Sequence, residues 1–95
     1  MMVTVYVDWE ERRVLNKEEF MEEVNTLVEN INEDHYERGE RIGDFLDYKE
    51  LNCVDLFDMS EADKQALVKE FEEWLVEDAK AQLLEEDFSE AVIEL

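Results

Sequence analysis

Ninety-five residues, 45% of them hydrophobic, make one domain that can bury a modest core without disulfides or metals. Twenty-nine acids against nine Lys and Arg give a formal net charge of −20, which repels nucleic acid and anionic membranes and favours a basic protein, a cation or a saline solvent. Five Phe, two Trp and three Tyr exclude a disordered acidic tail, and no stretch is long and apolar enough to span a membrane.

The lone Cys53 excludes an internal disulfide and suits a reducing compartment. The first residues have neither the basic region nor the apolar run of a signal peptide, so a cytoplasmic location is expected.

In chain order, Met2 to Asp8 alternates, with Val3, Val5 and Val7 on one side and Thr4, Tyr6 and Asp8 on the other. That pattern predicts a half-buried strand. A polar turn follows, and Arg12 to Leu15 returns as a second strand, giving a hairpin over 2–15. A two-stranded hairpin is marginal alone and must lie on helices or pair with another chain.

Asn16 and Glu19 form a capping-box signature. Phe20, Val24, Leu27, Val28, Ile31 and His35 then share a face, predicting a helix over 17–37. Opposite that face run Glu18, Glu22, Glu29 and Glu33, with no Lys or Arg between Glu18 and Tyr36. Gly39 reads as the helix C-cap, and 38–43 as the break. Short elements fill 44–57. Ser60 caps a long helix over 61–86, whose apolar face is Leu67, Val68, Phe71, Trp74, Leu75 and Ala79. Glu70, Glu73 and Glu77 line its other side. Residues 88–95 read as a short docking helix. The expected architecture is α+β and mostly helical: a short N-terminal hairpin packed on two main amphipathic helices, with short connecting helices.

Catalytic chemistry finds little support. His35, the only histidine, sits on an apolar helix face and reads as structural. Cys53 has no basic neighbour in sequence to lower its pKa and reads as a buried, inert thiol. One Cys and one His cannot make a structural zinc site. The acids of 55–63 lack the oxygen spacing and turn glycine of a calcium loop. No Gly-rich phosphate loop is present, and the Gly39–Gly43 spacing encloses charged residues, unlike a membrane helix contact. Paired carboxylates are too abundant to single out an acid–base pair. No catalytic residue, cofactor or metal is expected.

The charge pattern points to binding. Carboxylates on successive helical turns lie about 5–6 Å apart, comparable to phosphates along a nucleic-acid strand. The candidate contact residues are Glu18, Glu22, Glu29 and Glu33, then Glu70, Glu73 and Glu77, with Asp44 and Asp47 as additions. In its acidity, its size and the helical segments EEFMEEV and KEFEEWLVED, the chain resembles small acidic accessory proteins of phages and plasmids, including DNA-mimic anti-restriction and anti-CRISPR inhibitors. The resemblance implies an acidic surface that occupies the nucleic-acid site of a basic enzyme. It carries over no residue roles.

The expected function is therefore non-catalytic binding of a basic protein surface. The alternative is an adaptor that forms homo- or hetero-oligomers through apolar surface, by the Val3, Val5, Val7 strand or by Trp9, Val76 and Leu84. Adaptation to salt and a small enzyme built on His35 or Cys53 are weaker readings.

Overall fold

The structure is a computed structural model and describes residues 1–94, apart from the side chain of Cys53. The expectations of a buried Cys53 thiol and of a docking role for Leu95 lie outside the described residues. The fold is α+β and mostly helical. Its elements are β1 (Met2–Asp8), β2 (Arg13–Leu15), α1 (Lys17–Glu33), α2 (His35–Tyr48), α3 (Cys53–Phe57), α4 (Glu61–Glu86) and β3 (Phe88–Glu94).

The expected hairpin is present, and it is two-thirds of a sheet. β1 is the central strand of an antiparallel β2-β1-β3 sheet. Tyr6 lies opposite Leu15, and Val3, Val5 and Val7 lie opposite Ile93, Ala91 and Ser89. The C-terminal segment is thus a strand and not the expected docking helix. Its Ala91-Val92-Ile93 run suits the extended backbone, and the long β1 offers it a full partner, a tertiary gain that local pattern does not reveal. The ladder continues at Trp9, whose N–H donates to the Asp87 carbonyl at 3.2 Å.

The expected 17–37 helix is two helices. Asp34 ends α1 in extended backbone (φ −93°, ψ 105°) and its carboxylate accepts from the N–H groups of Tyr36 and Glu37, starting α2. An Asp side chain competes for exactly those amides that a continuing helix would leave to its carbonyls. Gly39 is consequently no cap. It lies inside α2 at negative φ, and 38–43 is helix, not a break. Two expected caps are in place: the reciprocal Asn16–Glu19 box (2.9 and 3.1 Å) and Ser60 accepting from Asp63 N–H (3.2 Å).

The radius of gyration is 16.5 Å, against about 12 Å for a compact chain of this length. The molecule is elongated, 53 × 30 × 18 Å, and its core is divided. One cluster joins sheet to helices: Tyr6, Leu15, Phe20, Val24, Ala79 and Phe88. There the Tyr6 and Phe20 rings stack at 3.9 Å, and Phe20 meets Phe88 edge-on at 5.4 Å. The second cluster lies among helices alone: Ile31, Phe45, Phe71 and Leu75, with Leu67 and Trp74 packed against it. α1 and α4 run through both. The face of α4 that touches the core drifts around the helix between the clusters, which leaves Val68, an expected core residue, 52% exposed.

Arg41 ties α2 to α4. Its guanidinium lies 2.9 Å from Asp78 and 3.3 Å from Glu37, and donates to Gln82 Oε1 at 2.8 Å. The Asp78 oxygen is buried without a well-aligned hydrogen bond, so the 2.9 Å ion contact is what compensates it.

Candidate acidic interface

The acids of α1 divide by task. Glu19 closes the capping box. Glu23 accepts from Arg13 at 2.8 Å, and this bond is the main reason the Arg13 guanidinium is held above its ordinary pKa. Glu18, Glu22, Glu29 and Glu33 remain, all exposed, and none forms an ion pair with Lys or Arg among the described residues. At 100° per residue they fall within about 60° of arc and extend about 22 Å along the helix. They form one straight ladder of carboxylates.

Its lower end is electrostatically costly. Glu29 and Glu33 stand near the α1 C-terminus, where the peptide dipole is already negative and the last turn holds no base. Asp34 follows at once, then Glu37 and Glu40. Tyr36 donates to Glu40, which holds the phenol above its usual pKa. Negative potential is therefore concentrated around the α1–α2 junction.

The second stripe is different. Glu70, Glu73 and Glu77 are exposed on α4, as expected, but they line a shallow concavity with Phe45, Tyr48, Lys49 and Trp74. Lys49 reaches Glu70 at 2.9 Å, and this contact raises the ammonium pKa. One of the three charges is thus neutralised locally, by a lysine twenty-one residues away that sequence spacing could not place. Asp44 and Asp47 are exposed on α2. The structure therefore presents the nine residues as an open ladder on α1, a partly paired row on α4, and two flanking acids on α2.

His35 is exposed at the first turn of α2 and lines neither the α4 concavity nor the groove between α2, α3 and α4. Among the described residues no three His, Cys, Asp or Glu side chains are grouped to hold a metal ion, and no helix is long and apolar enough to cross a membrane. A groove of about 300 Å³ between α2, α3 and α4 is floored by Phe45 and Phe71 and flanked by Arg38 and Lys64.

Two features escaped the sequence reading. Asp8, read as the last residue of the strand's more polar side, is 6% exposed. Its carboxylate accepts from the N–H groups of Glu10 and Glu11 (3.1 and 3.2 Å) and from Arg13 Nε (3.3 Å), which organises the β1–β2 turn. The second is the orientation of the sheet. Tyr6 and Asp8 face the helices, so Val3, Val5 and Val7 face away from them. The alternation marked both sets, and the aromatic ring in the more polar one was the available signal.

Comparison with protein-family models, with curated proteins and with solved structures finds no match to this chain.

Proposed function

We propose that this chain is a non-catalytic acidic binding protein whose α1 ladder docks on a basic protein surface of the kind that otherwise holds a nucleic-acid backbone. One observation carries the reading: Glu18, Glu22, Glu29 and Glu33 project from a capped helix with no basic side chain paired to them, in a chain whose other α1 acids are engaged. A solvated helix face normally interleaves Lys with Glu to gain (i, i+4) pairs. This ladder forgoes them and keeps a row of like charge in fixed geometry. Such a row attracts a cationic cleft at long range, and occupying the cleft excludes the nucleic acid by competition, with no chemical step. Glu70, Glu73, Glu77, Asp44 and Asp47 extend the acidic field around the contact.

The test uses the immobilised full chain and the proteins it retains from host extract at low salt. Binding falls about 100-fold or more as salt rises from about 50 to 300 mM. The variant with Glu18, Glu22, Glu29 and Glu33 all changed to Lys loses the partner, and a duplex oligonucleotide competes for the same site. Retention by the reversed variant equal to that of the natural chain sinks the reading.

A further inference from the structure

An antiparallel sheet with one wet face alternates apolar-inward and polar-outward residues. Here the inward side holds the core residues Tyr6, Leu15 and Phe88, and the outward side is apolar as well. On β1 the helix-facing set is Thr4, Tyr6 and Asp8, and the outward set is Val3, Val5 and Val7. The register extends this outward face across the sheet, because directly opposed residues share a side. Val3 has Ile93 beside it, Val5 has Ala91, and Val7 lies between Val14 and Ser89. Trp9 continues the same side, its indole N–H donating to Ser89 Oγ at 2.8 Å. Val14 and Trp9 are 62% and 63% exposed. The helices reach the sheet through Tyr6, Leu15 and Phe88, on its other side. Within the strands the outward face is therefore mainly aliphatic, with Ser89 and Trp9 at one end, and carries no charged side chain among the described residues.

The charge distribution says what covers it. Residues 16–87 hold 24 acids against seven bases, a net −17, whereas 1–15 and 88–94 together hold five acids against two arginines, a net −3. Among the described residues the outward side of the sheet carries no acid, and, unlike the α2–α4 groove with Arg38 and Lys64 at its margin, no base within its strands either. At its end, Arg12 and Arg13 line a concavity with Val7, Trp9 and Val14, and Glu10 and Glu11 adjoin them in the turn. That mixed-sign rim lets two such turns meet without net repulsion. A basic partner finds no carboxylate here to grip, and an anionic bilayer is repelled by the whole molecule.

We propose that a second copy of this chain stacks on this face, sheet to sheet, as a two-fold homodimer. An aliphatic face is self-complementary, as an isologous contact requires, and sheets stack face to face at about 10 Å with interdigitated side chains. Both helical layers then point outward, so the dimer presents the α1 ladder twice. The area sets the strength. Seventeen strand residues, at about 3.3 Å by 4.8 Å each, cover about 270 Å² per copy. That is a small interface of the transient class, so the dimer is weak and reversible.

Salt separates this contact from the ladder's. Screening the net charge removes repulsion between copies, so the dimer tightens as salt rises, where ladder binding weakens. The experiment is sedimentation of the full chain from about 5 to 500 μM, at about 0.05 and 1 M NaCl. The mass moves from monomer toward dimer with concentration, and the dimer tightens at least about fivefold at the higher salt. Val5→Lys places an ammonium at the centre of the face and weakens the dimer by about 100-fold or more with an unchanged circular-dichroism spectrum. If Val5→Lys unfolds the chain, Ile93→Lys, at the sheet edge, replaces it. A monomer at every concentration in 1 M NaCl overturns the proposal, and so does a dimer that tolerates both lysines. Monomeric protein that instead binds neutral phosphatidylcholine vesicles, and loses that binding on Val5→Lys, assigns the face to a bilayer and also overturns it.

Discussion

The two ends of this elongated molecule solve opposite problems. At the sheet end, residues 1–15 and 88–94 net only −3, against −17 for residues 16–87. The sheet hides its polar set, Tyr6 and Asp8, and shows its aliphatic set. At the helical end, Phe45, Phe71 and Leu75 are buried and the acids are displayed. The helical body thus buries its apolar core under an extraordinary charge, and the sheet has an ordinary charge and is apolar on both sides. Acidity is not spread evenly over the chain: it is concentrated on the elements that face solvent on one side of the sheet and withheld from the other. On the readings proposed above, long-range attraction and short-range apolar contact fall to different surfaces, which are expected to respond to salt with opposite sign.

The joint between the ends is where the comparison breaks most easily. Phe20 is fully buried, stacks on Tyr6 at 3.9 Å and meets Phe88 at 5.4 Å. It is the side chain by which α1 grips both β1 and β3. Phe20→Ala removes that grip and costs about 3–5 kcal/mol, a large share of the roughly 5–15 kcal/mol that holds a small domain together. Chemical denaturation should show an early transition in which the sheet end is lost. Val68→Ala, on the exposed part of α4, should cost well under about 1 kcal/mol. Equal losses for the two would mean that the core does not have its centre at the sheet–helix joint.

Asp8 sharpens the comparison at the sheet end. It is the buried acid of the sheet, and it is buried because it is fully employed: two turn amides and Arg13 donate to it. Asp8→Ala strands those two amides and releases Arg13, at a cost of about 1–3 kcal/mol. Removing an acid from a chain at −20 would otherwise relieve repulsion. Glu22→Ala, an exposed ladder acid, shows that relief alone, within about 0.5 kcal/mol of neutral. Thermal melts of the two variants should therefore move apart, with the Asp8 variant falling. If both rise, the carboxylate is not anchoring the turn.

Much of this was legible in the sequence, and what was not has specific physical causes. The two capped helix starts, the β1–β2 hairpin and the exposure of all nine candidate acids followed from local patterns. β3 did not, since seven residues of mixed apolar character become a strand only when a long partner is available. The Asp34 break was masked because the apolar period of α1 runs on through His35 while the backbone turns. The Lys49–Glu70 pair, which sets the α4 row apart from the α1 ladder, depends on how α2 and α4 are packed. Local signals specified the β1–β2 hairpin, the starts of α1 and α4 and their caps at Asn16 and Ser60. Tertiary pairing decided which face of the sheet is inside and which acids stay open.

The smallest expected effect concerns the junction that the apolar period concealed. Gly39 lies inside α2, five residues after the Asp34 cap, in helical conformation, and a methyl group added there meets nothing within 4 Å. Glycine in a helix interior loses more backbone entropy on folding than alanine does, so Gly39→Ala should stabilise the chain by about 0.5–1 kcal/mol. The gain appears as a higher denaturation midpoint with an unchanged slope. A C-capping glycine gives the opposite result, because alanine is strained at positive φ. The sign of this one substitution therefore decides whether the acidic body is one helix ending near residue 38 or two helices hinged at Asp34, with Glu33 at the end of the first and Glu37 and Glu40 in the second. A loss on Gly39→Ala would return the negative field of the junction to a single unbroken helix.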